Sequence, residues 1–153
     1  MISAQRPIVP QEDSMATAPD NVAKLKDAYR RWDQSKGKDT TMWTTLFADD
    51  VRLRSLAAGR PGLEFTLECR SSADVARYFD RLLAEWEMVH YTTEVFAVDG
   101  DRVVMLGSTS YRHRTTGKAF DTPKLDLVTF RDGRVVEFYE FYDTQKVLDA
   151  AQT

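Results

Sequence analysis

The chain has a single cysteine, Cys69, among its 153 residues. An intrachain disulfide is excluded, and a reducing compartment, the cytoplasm, is the expected location. An excess of basic charge is missing too: 21 Lys and Arg against 24 Asp and Glu leave a net charge of −3. The basic footprint of a nucleic-acid binder is therefore excluded. No apolar run approaches the roughly 20 residues of a membrane span, and the N-terminus lacks the charged start and apolar core of a signal peptide. Neither a membrane nor a nucleic acid is an expected partner. There is no Gly-rich phosphate loop, no cluster with metal-ligand spacing and no Ser or Cys nucleophile in a recognisable setting. No cofactor and no metal are expected. Cys69 alternates with Leu63, Phe65 and Leu67, the pattern of a thiol packed on a strand.

What is present suffices for one domain. Residues 1–18, with Pro7 and Pro10 and little apolar periodicity, read as a flexible arm. Residues 19–153 read as a single domain large enough to bury its own core. A first helix is expected from about residue 20 to 35. Asp20 is placed to cap it, Leu25, Tyr29 and Trp32 define its buried face, and Gly37 ends it. A short helix follows over 41–47, then a turn at Ala48-Asp49-Asp50 and a strand over 51–56. The alternation over 63–69 predicts a second strand paired with the first. A third helix starts at Ser71 or Ser72, where Ser71 and Asp74 have the spacing of a capping box. Its apolar face is Val75, Tyr78 or Phe79, Leu82, Leu83 and Trp86.

The last third carries three turn signals, Asp99-Gly100, Thr116-Gly117 and Asp132-Gly133. They separate runs over 89–98, 102–114, 118–131 and 134–142. Two-residue turns need positive φ, which Gly adopts freely, so these runs spell an antiparallel meander. Strands this long must twist, usually with a bulge. A short helix over 143–150 closes the chain. The fold class is α+β: N-terminal helices packed against a strongly curved, mostly antiparallel sheet that encloses a pocket. Tyr139 and Phe141 leave the outer face of that sheet apolar, so a homodimer is expected.

The segments YRRWDQSKGKD, LFADDVRL and FRDGRVVEFYEFYDT, in this order, resemble the nuclear transport factor 2 superfamily in its SnoaL-like and ketosteroid isomerase-like branch. The resemblance covers roughly residues 20 to 150 and implies a cone-shaped fold. It also implies a range of activities: isomerases, dehydratases, epoxide hydrolases, polyketide cyclases and proteins that only bind. Ketosteroid isomerases hold an enolate with a Tyr on the first helix and a protonated Asp on the fifth strand. Tyr29 and Asp126 match these, whereas the base position holds Ser55. In the limonene-type epoxide hydrolase pattern Glu140 matches one acid, but Gly107 and Thr109 replace the Arg and the other Asp. Scytalone dehydratase and lindane dehydrochlorinase pair an Asp near the end of the first helix with a His on the third strand. Asp33 and His90 match that pair, and His113 falls on the dehydratase's second pocket His.

The chemistry implied is proton abstraction. A carboxylate that orients an imidazole makes a base that titrates near working pH. The alternative is that Asp33 and His90 are both solvated. Tyr29 is a donor to the ligand or a core aromatic. Asp126 shares a face with Lys124, Val128 and Phe130. It is either a pocket acid kept neutral by apolar surroundings or the partner of Lys124 or an Arg. Glu140 shares parity with Phe138 and Tyr142, while Glu137 with Tyr139 and Phe141 reads alike. Trp32, Trp43, Phe47, Tyr111, Val128, Phe130, Phe138 and Tyr142 are the expected wall of the pocket, with Glu140 and His113 as its polar points. The expected function is a cofactor-free lyase or isomerase acting on an apolar oxygenated metabolite: a polyketide, steroid-like or aromatic compound. The alternative is a binding protein or sensor for a small hydrophobic ligand.

Overall fold

The computed structural model describes residues 17–153. The expected arm lies outside the described residues up to residue 16; Thr17 caps the first helix and Ala18 begins it. Helix α1, Ala18–Gln34, is capped by Thr17 and not by Asp20. Asp20 is the third helical residue, and its carboxylate accepts from the Thr17 N–H while the Thr17 hydroxyl accepts from the Asp20 N–H. The helix ends as expected at Gly37, whose φ of 77° lets its N–H reach back to the Trp32 carbonyl. Leu25, Ala28, Tyr29 and Trp32 are buried along one stripe.

Helix α2, Thr41–Leu46, runs straight into strand β1, Phe47–Ser55. The turn expected at Ala48-Asp49-Asp50 is not formed. The strand instead absorbs a register shift between Phe47 and Arg52, which leaves Asp49 and Asp50 exposed and keeps Val51 and Leu53 buried. The strand expected over 63–69 is also not formed. That segment is a loop with one turn of 3-10 helix, Glu64–Thr66; its backbone meets β1 at a single bridge, Leu53 to Cys69, beside the Arg52–Glu68 ion pair. Local bonds outcompete the ladder here: the Thr66 hydroxyl donates to the Leu63 carbonyl and accepts from the Gly59 N–H. Leu67, which alternation would bury, is 61% exposed.

Helix α3, Ser72–Glu85, is capped by Ser71, which accepts from the Asp74 N–H at 3.1 Å. Tyr78 and Phe79 are both buried, so its apolar stripe is wider than either alone. The meander follows: β2, Trp86–Asp99; β3, Arg102–His113; β4, Ala119–Arg131; and β5, Arg134–Tyr142. Helix α4, Thr144–Ala151, closes the chain. All three expected turns are made, with glycines at φ of 57°, 74° and 76°. The sheet order is β1-β5-β4-β3-β2. β1 runs parallel to β5 and every other pair is antiparallel. The sheet is open, with β1 and β2 as its edges, and its inner face packs against α1 and α3. The α+β cone expected from the sequence is therefore the fold the chain adopts.

Register shifts interrupt β2 at Met88/His90 and at Thr93/Val95. Gly107 of β3 faces the second of these. A Cβ at Gly107 would lie 1.9 Å from the Thr92 carbonyl oxygen, which is backbone and cannot rotate away. Gly107→Ala is therefore expected to lower stability by about 1–3 kcal/mol, the range for overpacking. Urea denaturation measures this; an unchanged midpoint would show that the irregularity in β2 is soft.

Candidate functional site

The inner face of the sheet and the helices enclose a narrow cavity of about 80 Å³. Its wall is mostly aromatic and includes Trp32, Trp43, Phe47, Tyr111, Phe138 and Tyr142. Trp43 packs edge-on against Tyr29, Trp32 and Phe138 with centroids 5.1–6.4 Å apart, a geometry that aromatic quadrupoles favour.

Three ionisable side chains form a buried chain that reaches this wall. Lys124 and Asp126 are two residues apart on β4 and so share its inner face. Register places Glu140 of β5 directly opposite Asp126. The Lys124 ammonium bonds the Asp126 Oδ1 and lies 3.1 Å from the Glu140 Oε2. Lys124 is 6% exposed, Asp126 0% and Glu140 7%. Lys124 and Glu140 reach the cavity wall, and Asp126 sits behind them.

Tyrosines from three elements satisfy the two carboxylates. Tyr29 of α1 and Tyr91 of β2 each donate to the Asp126 Oδ2 at 2.7 Å. Their rings are stacked with centroids 5.5 Å apart. Tyr78 of α3 donates to the Glu140 Oε1 at 2.7 Å. Burial, and then the adjacent Asp126, hold the hydroxyl pKa of Tyr29 and of Tyr91 well above the usual tyrosine value. Burial and Glu140 do the same for Tyr78. For Lys124 burial works against the charge, but Asp126 and Glu140 outweigh it and raise the pKa above that of an ordinary lysine. The chain carries one positive and two negative groups, each paired, as burial of charge requires.

The structure thus brings Tyr29 and Asp126 together, but as donor and acceptor to each other. Neither lies on the cavity wall, so the arrangement in which both donate to a ligand is not formed. Asp33 and His90 are not joined by a hydrogen bond. The Asp33 Oδ1 accepts from the Tyr91 backbone N–H at 2.9 Å and from Lys36 at 3.0 Å, and these bonds lower its pKa against the opposing effect of desolvation. The His90 ring lies 3.3 Å from the Asp121 Oδ2, outside the cavity. His113 packs on Trp86 at 4.7 Å between ring centroids and accepts from the Thr116 N–H, also away from the wall. Val128 and Phe130 are buried in the core beside the cavity and do not line it. Ser55, the departing base position, bonds the Tyr142 hydroxyl.

Lys124, Tyr78 and Tyr91 complete the site beyond the expected residues. Only Lys124 left a signal, as a charge two residues from Asp126 in an apolar strand. Cys69 is buried, and desolvation pushes its thiol up to about 11, so it is inert as a nucleophile at neutral pH. Among the described residues no group of three His, Cys, Asp or Glu is placed to hold a metal ion. No helix among them is long and apolar enough to cross a membrane.

The fold has relatives among solved structures. An NTF2-like protein of Burkholderia thailandensis is 26% identical, with a TM-score of 0.75 over 91% of this chain and 100% of the other. A SnoaL-like polyketide cyclase candidate from a Jannaschia species is 18% identical, with a TM-score of 0.71 over 92% and 96%. The protein TerC, crystallised with polyporic acid, is 14% identical, with a TM-score of 0.72 over 88% and 99%. No curated protein matches the sequence. The SnoaL-like domain model matches residues 25–138, three quarters of the chain. By that match the chain is a member of the SnoaL-like domain family.

Proposed function

We propose that this protein is a cofactor-independent isomerase or lyase that moves a proton on a flat, apolar, oxygenated metabolite. The observation that carries the reading is Lys124. An ammonium has three N–H donors; one goes to Asp126, Glu140 lies 3.1 Å away as an ion partner, and an N–H remains for a ligand oxygen in an otherwise apolar cavity. A carbonyl oxygen takes that N–H. The Glu140 carboxylate, beside the same ammonium, accepts the proton from the carbon next to the carbonyl. The C–H electron pair moves into the carbonyl, and Lys124 stabilises the enolate oxygen. Return of the proton to another carbon completes an isomerisation; loss of a group from the adjacent carbon completes an elimination. Tyr78 orients Glu140, and Asp126, held by Tyr29 and Tyr91, orients Lys124. The polyketide cyclase candidate and the complex of TerC with polyporic acid support a cavity of this chemical class. Asp33 and His90 take no part in this reading.

The test is exchange. Acetylnaphthalene, a flat neutral ketone, is incubated with the protein in D2O. Deuterium is expected to enter its methyl group faster than in buffer alone. Binding without accelerated exchange would contradict an enzyme and leave a ligand carrier with the same anchors.

We further propose that the protein works as a homodimer, in the cytoplasm, where a single free thiol is stable. Two apolar rows cross the outer face of four strands. Val95, Leu106, Leu125 and Phe141 form one, and Ala97, Val104, Leu127 and Tyr139 the other. A second copy covering this face would bury both rows. Light scattering is expected to give twice the chain mass of 17.5 kDa, and Leu125→Arg is expected to halve it. A monomeric wild type would contradict the proposal.

A further inference from the structure

The charge balance of the cavity says which form of a ligand it admits. Lys124 is the one cation on the wall, where neither an arginine nor a second lysine appears among the described residues. Two carboxylates already flank it, so the buried chain is one negative charge in excess. The hydroxyls of Tyr29, Tyr78 and Tyr91 all point to those carboxylates. None of these three phenols is left to receive a second anion. The remaining wall is aromatic, and its ring faces are electron-rich. Thr109 donates its hydroxyl to the His90 carbonyl, and the hydroxyls of Tyr111 and Tyr142 are neutral. The buried indole N–H of Trp86, which has no partner among the described residues, is a neutral donor as well. Every group that can meet a ligand, Lys124 apart, is therefore neutral or negative.

We infer that the cavity selects neutral ligands bearing acceptor oxygens and rejects their carboxylates: the substrate is a neutral ketone, ester or quinone and not an organic acid. This rests on the proposed reading of Lys124 and narrows it. An anion entering here would lose its hydration and meet two like charges for one already shared ammonium, whereas a neutral carbonyl needs only the free N–H. Reactions that supply the substrate must then deliver it without a free acid, for example as an ester or a closed ring.

Acetylnaphthalene and naphthoate have nearly the same shape and differ in charge. Titration calorimetry at neutral pH is expected to find the ketone bound at least tenfold more tightly by the wild type. Apolar walls alone would also disfavour an anion, so Glu140→Gln provides the discriminating arm. With one negative charge removed, naphthoate affinity is expected to rise at least tenfold relative to the ketone. Naphthoate binding as tightly as the ketone in the wild type, or no relative gain in Glu140→Gln, would overturn the inference and leave the proposed proton transfer standing. A wild type that binds neither probe would overturn both.

Discussion

Lys124→Met is expected to cost about 3–5 kcal/mol of stability, the range for breaking a buried ion pair from one side. Methionine nearly fills the volume of the lysine stem, so the loss is electrostatic and not a cavity effect. Without the ammonium, Asp126 and Glu140 face each other across β4 and β5 with no cation between them. Tyr29, Tyr91 and Tyr78 still donate to them, which is why the figure belongs to the missing charge and not to missing hydrogen bonds. Adding Asp126→Asn and Glu140→Gln to Lys124→Met removes the stranded charges and is expected to recover part of the loss. Urea midpoints of the single and triple variants measure both effects. A single variant as stable as the wild type would mean that the carboxylates are relieved in some other way.

Above about pH 10 the fold is expected to fail steeply. Lys124, Tyr29, Tyr78 and Tyr91 all have pKa values raised above their ordinary ones. A raised pKa means that the folded state keeps a proton the unfolded chain gives up. The stabilisation is whole below the unfolded pKa values, near 10, and falls as pH rises toward the folded ones. Each such group contributes a slope of about 1.4 kcal/mol per pH unit, so four together approach about 5 kcal/mol per unit. Most small domains have only about 5–15 kcal/mol to lose. Urea midpoints between about pH 8 and 11 are expected to be flat and then to drop. Tyr91→Phe removes one titrating group and makes the drop shallower by about 1.4 kcal/mol per pH unit. A midpoint that holds to pH 11 would contradict the buried chain of proton donors.

The meander was legible because period-two alternation and Gly turns are local signals, and β5 has the expected bounds. The helix faces were legible for the same reason, Tyr29 and Trp32 among them. The failures come from irregularities that no local signal marks. Counting back from the Asp132-Gly133 turn would set Tyr139 opposite Asp126. The register shift at Thr129/Phe130 sets Glu140 there instead, and one residue of slip exchanges the two faces of a strand. Glu137 and Glu140 read alike in the sequence because each shares a parity with aromatic residues, and the register alone separates them. The same happens in β2: counting by twos from buried Trp86 and Met88 reaches His90, but the shift at Met88/His90 turns Tyr91 inward. His90 thereby leaves the cavity and Tyr91 reaches Asp126. At Leu63 to Cys69 the alternation was real, but side-chain bonds from Thr66 used it to pack a loop.

In the proposed reaction Glu140 moves the proton while Lys124 holds the oxygen. Glu140→Gln keeps the shape and the Tyr78 contact and removes the base. Deuterium exchange into acetylnaphthalene, measured at saturating ketone beside a calorimetric affinity, separates chemistry from binding. A fall in exchange of about 10²–10⁴-fold, the usual worth of a general base, is expected with the ketone still bound. Exchange that is unchanged, or that falls only as far as binding does, would contradict the proposed reaction.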